Sequence, residues 1–237
     1  AVKRMGSLDA LSREFAREHS DRLWKQLVMP SEPGDLASGI GADTIAAFAL
    51  AVAAALLVKL PALFGFGIDE HAGFYARNAS LFVLPLLAGY FAWKRPLDNV
   101  TIQRLAMAFI AAVFIINIYP FAPGGNTLVL AALHLPIALW LLVGIAYAGG
   151  RWREAERRMD FVRFSGELFI YYVLIALGGG VFIGFMLMLF EAIGIDAEPF
   201  LESWLLPCGA AGAVLVAAWL VEAKQSVIEN MAPVLTR

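Results

Sequence analysis

Six stretches of this chain are apolar over most of their length: roughly 44–66, 78–93, 104–120, 127–148, 166–190 and 203–221. A helix rises about 1.5 Å per residue, so about 20 apolar residues cross the hydrocarbon core of a bilayer. The pattern predicts an all-α fold, a polytopic membrane bundle of six transmembrane helices occupying 42–223. The breaks between runs agree with that reading. Pro61 to Asn78 form one connection, and Pro120-Phe-Ala-Pro-Gly-Gly-Asn126 make a turn between the third and fourth runs. Gly149-Gly150 end the fourth, and Arg151 to Asp160 are a short charged segment before the fifth.

The flanks differ in character. Positions 1–29 mix acidic and basic residues and contain no apolar core of a signal peptide. Leu8, Leu11, Phe15, Leu23 and Leu27 recur near helical spacing, with Ser7 placed as an N-cap and Pro30 as a stop. This predicts an amphipathic helix, either lying on the membrane face or a partner, or standing in solvent. Ser31 to Gly41 read as a linker, so 1–41 form a region apart, and 224–237 form a tail.

Composition supports the membrane assignment. Hydrophobic residues make up 60% and charged residues 16%, with mean hydropathy +0.72. Between Arg104 and Arg151 there is no Asp, Glu, Lys or Arg, a gap that a soluble domain does not need. Net charge is −2 and the basic residues are scattered, which speaks against a nucleic-acid partner. The expected partners are the lipid bilayer and other membrane-protein subunits. A single cysteine, Cys208, allows no intramolecular disulfide and no cysteine-based metal cluster, and it reads as a small packing residue.

Charge placement gives orientation. With six spans and a cytoplasmic N-terminus, every one of the 18 Lys and Arg except Lys59 and Arg77 lies on the cytoplasmic side. Cytoplasmic loops carry that excess in membrane proteins generally. Both termini and Arg151–Asp160 are therefore expected inside, and Asp69–His71 and Glu191–Glu202 outside. Lys59, at the outer end of the first span, is expected to snorkel toward the interface.

Candidate chemistry is sparse. No phosphate loop, HExxH, GxSxG or dinucleotide fingerprint occurs, so no catalytic residue, cofactor or metal is assigned. Asp69, Glu70 and His71, with Glu191, Asp196, Glu198 and Glu202, form acidic outer loops of the ordinary solvated kind. Polar residues at membrane depth are the candidates that remain. His134 lies on the order of 10 Å deep in the fourth span, at about 1.5 Å per residue. It is either a hydrogen-bonded packing residue or a proton, ion or substrate contact. Asn117, or the Ala132 carbonyl freed by Pro136, is its expected partner. Glu167 enters from the cytoplasmic side, and Arg163 is its expected neighbour.

The fifth span holds Gly178-Gly179-Gly180, and Gly180 with Gly184 makes a GxxxG pair. Each glycine costs a helix roughly 1 kcal/mol relative to alanine. The compensation is either a close crossing with Gly209, Gly212 and Ala213 of the sixth span or a locally unwound segment lining a site. The first span, with Ala46, Ala47, Ala49, Ala51, Ala53, Ala54 and Ala55, is expected to pack centrally.

One series of residues resembles a known family. Arg163-Phe-Ser-Gly-Glu167, Tyr171-Tyr172, the glycine triplet, Glu191-Ala-Ile-Gly-Ile195, Leu220-Val-Glu222 and Asn230-Met-Ala-Pro-Val-Leu235 look like the bacterial domain-of-unknown-function family numbered four-one-five-three. The resemblance covers 155–237, and the earlier half only through its hydropathy. It implies a multi-pass, permease-like inner-membrane protein and transfers no catalytic residue. It also implies a longer parent with further spans, of which a chain starting without Met and stopping at Arg237 is a part. Two functions are open: a non-enzymatic scaffold or accessory subunit of a membrane complex, favoured by the scarcity of buried charge, and a permease-like transporter of unknown small-molecule substrate, with a site at Gly- or Pro-interrupted helices.

Overall fold

In a computed structural model the protein is described over residues 41–68, 70–122 and 125–235, with side chains described as far as Lys224. The helix and linker expected over 1–41 fall outside these residues, Gly41 excepted. Contacts separate the chain into Ala1–Ala42 and Asp43–Arg237, and the helical bundle occupies the second unit.

Every described element is helical. The long helices are α1 (Ala42–Lys59), α2 (Ala72–Lys94), α3 (Asn99–Ile118), α4 (Asn126–Tyr147), α5 (Ala155–Ala192) and α6 (Leu206–Leu235). A 3₁₀ turn at Leu60–Phe64 extends α1, and a helical turn at Glu198–Phe200 followed by a π turn at Leu201–Leu205 leads into α6. Five helical segments are long and apolar enough to cross a membrane: Ala42–Phe64, Asn99–Ile118, Asn126–Tyr147, Ala155–Ala192 and Glu198–Lys224. The remaining expected span corresponds to α2, which begins six residues before the apolar run and so takes in Arg77 and Asn78. Among the described residues it is the helix with most buried side chains, including Leu81, Leu84, Leu87, Tyr90 and Phe91. Arg77, Asn78 and Lys94 lower its hydropathy, and it is not among the five.

The turn at 120–126 and the stop at Gly149-Gly150 fall where the sequence placed them, whereas α2 starts inside the expected Pro61–Asn78 connection and α5 inside the expected Arg151–Asp160 segment. Asp98 caps α3, its carboxylate accepting from the Thr101 N–H at 3.0 Å. After α4 the chain reverses through Gly149 and Gly150, at φ +62° and +76°, a conformation that glycine adopts without Cβ strain. The tail expected at 224–237 continues α6 as helix to Leu235.

α1 packs through one face and is not central as its alanines suggested, since Ile45, Phe48, Val52 and Leu56 are exposed on the other face. Ala47, Ala51 and Ala54 are buried, and the helix runs antiparallel to α6. Phe48 meets Trp219 at 5.8 Å between ring centroids, and the Cys208 Sγ lies 3.5 Å from the Ala55 carbonyl. A Cβ at Gly212 would stand 3.4 Å from the Ala51 carbonyl oxygen, an ordinary van der Waals contact, so α1 and α6 meet here without requiring the glycine. The expected crossing of the fifth and sixth spans through glycine is not formed. A Cβ at Gly178, Gly179, Gly180, Gly184 or Gly209 would meet nothing within 4 Å. The partner of Gly212 is the first helix, and Ala213 beside it makes no such contact with the α5 glycines. The unwound alternative also fails, because α5 is one continuous helix through the triplet.

At one end an aromatic cluster ties α2, α4 and α5 together. Phe91 lies 5.1 Å from Tyr147 and 5.2 Å from Phe164, and Tyr147 stacks on Phe164 at 4.6 Å. Phe161 and Trp152 close over Gly144, where a Cβ would stand 2.8 and 2.7 Å from their rings. Beyond Leu168 no residue of α5 is buried, and beyond Ile175 none of its side chains joins the core.

Candidate functional site

The polar groups inside this apolar bundle gather near its two ends. One end holds Asp43, Lys94, Arg95 and Glu222. Glu222, on α6, is 7% exposed and faces two cations from the end of α2. Arg95 Nη2 donates to its Oε1 at 2.9 Å, and Lys94 Nζ lies 3.3 Å from Oε2. Lys94 reaches Asp43 at the start of α1 as well, at 3.0 Å. Arg95 also lies over the Tyr147 ring, 4.2 Å from its centroid. One carboxylate thus fastens α6 to α2, and one ammonium fastens α2 to α1. In the sequence Lys94 and Arg95 count only among the cations of the expected cytoplasmic side. Glu222 ends the sixth apolar run on the same side, and that match in depth was the available signal.

Glu167 is paired, but not with Arg163. Its Oε2 lies 3.5 Å from Lys224 Nζ. Arg163, one turn earlier on the same helix, makes no ion pair with it; the residue that does comes from α6, which packs beside α5. Both partners are partly exposed, so this pair contributes little.

Toward the other end, Asn117 pairs with Asn78 and not with His134. Each amide donates to the other's carbonyl oxygen, at 2.8 and 3.0 Å. Each also donates to a carbonyl one turn back on its own helix, Asn78 to Phe74 and Asn117 to Val113. All four amide N–H groups are used, the arrangement that a polar pair needs where water is absent. The pair fixes α3 to α2. Asn78 escapes notice in the sequence because it sits at the first position of the apolar run and reads as the end of a loop.

His134 is exposed, and its Nδ1 lies 2.8 Å from the Leu130 carbonyl oxygen on its own helix. A carbonyl only accepts, so Nδ1 is the donor of this bond. Neither Asn117 nor the Ala132 carbonyl is its partner. The expected use of a proline-freed carbonyl occurs elsewhere. Pro207 has no N–H to offer the Ser203 carbonyl, and Lys59 Nζ donates to that oxygen. Lys59 also lies over the Trp204 ring at 4.5 Å from its centroid. It is buried between α1 and the π turn, and does not snorkel outward.

Two cavities lie among these helices. An apolar one of about 660 Å³ is lined by Val58, Phe82, Pro136, Trp140, Tyr172 and Val214 among others. A second, of about 790 Å³, opens beside the Glu222 cluster. None of the three intramembrane candidates, His134, Asn117 and Glu167, lines either cavity, and the structure does not bring them together.

These features define a helical, membrane-compatible protein in which several interior polar groups pair with one another, while Arg77 Nε, Ser80 Oγ, the Tyr90 hydroxyl and Arg95 Nε have no hydrogen-bond partner among the described residues. Comparisons with protein-family models, with curated proteins and with solved structures give no match.

Proposed function

We propose that this chain is a bacterial inner-membrane protein of six spans with both ends in the cytoplasm, and that it serves as a non-enzymatic scaffold or accessory subunit of a membrane complex. The observation that carries this reading is the outer half of α5. It is an apolar helix with open glycines at Gly178–Gly180 and Gly184, where among the described residues nothing outside the helix's own backbone lies within 4 Å of where their Cβ atoms would stand. Glycines at these positions weaken the helix unless a backbone-close neighbour compensates. No neighbour of that kind comes from the described residues, so a helix of another subunit is the natural one. The mutual pairing of several interior polar groups supports the same reading, since a coupled transporter keeps ionisable groups available at mid-membrane.

Orientation follows from the charge asymmetry, and α2 is the second of the six spans, added to the five that hydropathy alone selects. Membership of the family numbered four-one-five-three rests on the residue series from Arg163 to Leu235. In that series Glu167 and Glu222 are the carboxylates that join α6 to its neighbours.

The test places a photo-crosslinking residue at Gly180 and, as control, at Val129, which is also exposed. A discrete protein adduct from position 180 and lipid adducts only from 129 are expected. Gly180→Leu should then abolish the adduct partner's co-purification while leaving the folded yield of this chain unchanged. Lipid adducts alone at position 180 would refute the subunit reading.

The transporter reading has one observation in its favour, the apolar cavity lined by Pro136 and, at its α6 wall, Pro207. Its chemistry suits an apolar cargo and not an ion. Uptake or efflux of a lipophilic probe that is lost in Val214→Trp at normal folded yield would move that reading ahead.

A further inference from the structure

The cavity at the basic end of the bundle has charges that its own walls do not neutralise. Its lining includes four cations, Lys94, Arg95, Arg151 and Arg157, against two carboxylates, Asp43 and Glu222. Both carboxylates are already committed to Lys94 and Arg95, at 2.9 to 3.3 Å. Arg151 and Arg157 come from the segment that opens α5. Their nearest acid is Glu154, outside the lining, which offers the same oxygen to both at 3.8 and 3.9 Å. Those distances are at the outer limit of an ion pair, and Glu154 is half exposed, so neither guanidinium is held firmly. A further donor, the Arg95 Nε, is shielded from solvent and has no hydrogen-bond partner.

We infer that this cavity is a binding site for a phosphate-bearing anion, held chiefly by Arg151 and Arg157 and assisted by Arg95. A guanidinium presents paired N–H donors in a plane, which match two oxygens of a phosphate better than a point charge does. The volume of about 790 Å³ takes a phosphate together with a polar group attached to it, as in a phospholipid headgroup or a small phosphate ester. The location suits the first source, because basic pockets between helices at the anionic leaflet receive headgroups. The two sources share one recognition chemistry. The inference stands on the charges and geometry of the cavity, and only the preference for a headgroup rests on the cytoplasmic orientation proposed above.

The experiment uses the full chain in nanodiscs of zwitterionic phosphatidylcholine, with thermal unfolding and retained ligand as readouts. One arm adds phosphatidylglycerol to the discs, and the other titrates glycerol 3-phosphate against unmodified discs. Stabilisation in at least one arm is expected, and the arm that responds identifies the source. Arg151→Gln/Arg157→Gln should weaken that response roughly thirtyfold, at about fivefold per charge near a membrane surface. Arg104→Gln/Arg153→Gln removes the same charge from residues outside the lining and should change the response far less. Arg151→Lys/Arg157→Lys keeps the charge and loses the fork, and serves where the Gln pair folds poorly; it should fall short of the native response. No stabilisation in either arm would overturn the inference. Equal losses in the lining and control pairs would overturn it too, since the anion would then be sensing only the general surface charge.

Discussion

Gly144 and Gly180 are both interior helix positions, and the same change at each separates a packed glycine from an open one. In Gly144→Ala the new methyl would stand 2.7 Å from Trp152 Cζ3 and 2.8 Å from Phe161 Cε1. Phe161 has little room to retreat, because Trp140, Tyr147 and Trp152 surround its ring at 5.5 to 5.7 Å between centroids. Forcing a methyl into such a site costs about 1–3 kcal/mol. In Gly180→Ala the methyl meets nothing within 4 Å. Both changes gain the same helix propensity, about 1 kcal/mol, so it cancels when the two are compared. Gly144→Ala should therefore be the less stable variant by about 1–3 kcal/mol. At about 2–4 °C per kcal/mol for a chain of this length, that is a separation of roughly 2–12 °C. Thermal unfolding of the purified chain in detergent, followed by tryptophan fluorescence, measures it with Trp152 as a reporter in the perturbed cluster. Indistinguishable midpoints, or a lower one for Gly180→Ala, would refute the assignment of Gly144 as the packed glycine.

Glu222→Gln should cost about 1–3 kcal/mol, less than the 3–5 of a fully buried pair because Lys94 and Arg95 are about a quarter exposed. Glu167→Gln, whose partner Lys224 is 44% exposed, should cost under about 1 kcal/mol, and equal losses in denaturant titrations would contradict the ranking. The Asp98 carboxyl is held below the usual carboxylate range by hydrogen bonds from the Thr101 side chain and backbone. Its folded-state pKa is depressed, so its contribution is complete above about pH 4 and is lost as pH falls through the lower folded value. Asp98→Asn should remove that part of the acid dependence, and an unchanged acid-unfolding profile would count against the cap.

What could be read from the residues and what could not divides along a physical line. Helix positions followed from hydropathy because a bilayer imposes one length and one polarity along its normal. The glycine stop after α4 and the proline-rich turn before it followed from backbone chemistry alone. The neighbours of each polar residue did not follow. Depth is only one coordinate: it suggested His134 for Asn117, whereas the direction in which each side chain leaves its helix pairs Asn117 with Asn78. In a soluble helix that direction shows as an apolar stripe. A helix in lipid is apolar on every side, so its sequence carries no such period. Gly178–Gly180 drew attention for the same reason. Small residues announce that a backbone can be approached, not which backbone approaches, and here the approach is made at Gly212 by Ala51 and at Gly144 by two aromatic rings. Matching depth across helices nevertheless gives a short list of partners. Glu222 stands at the level of Lys94 and Arg95, and Ser203, one turn before Pro207, at the level of Lys59. In both cases the group that would otherwise be unsatisfied in lipid has found a cation within reach, because leaving either alone would cost several kcal/mol.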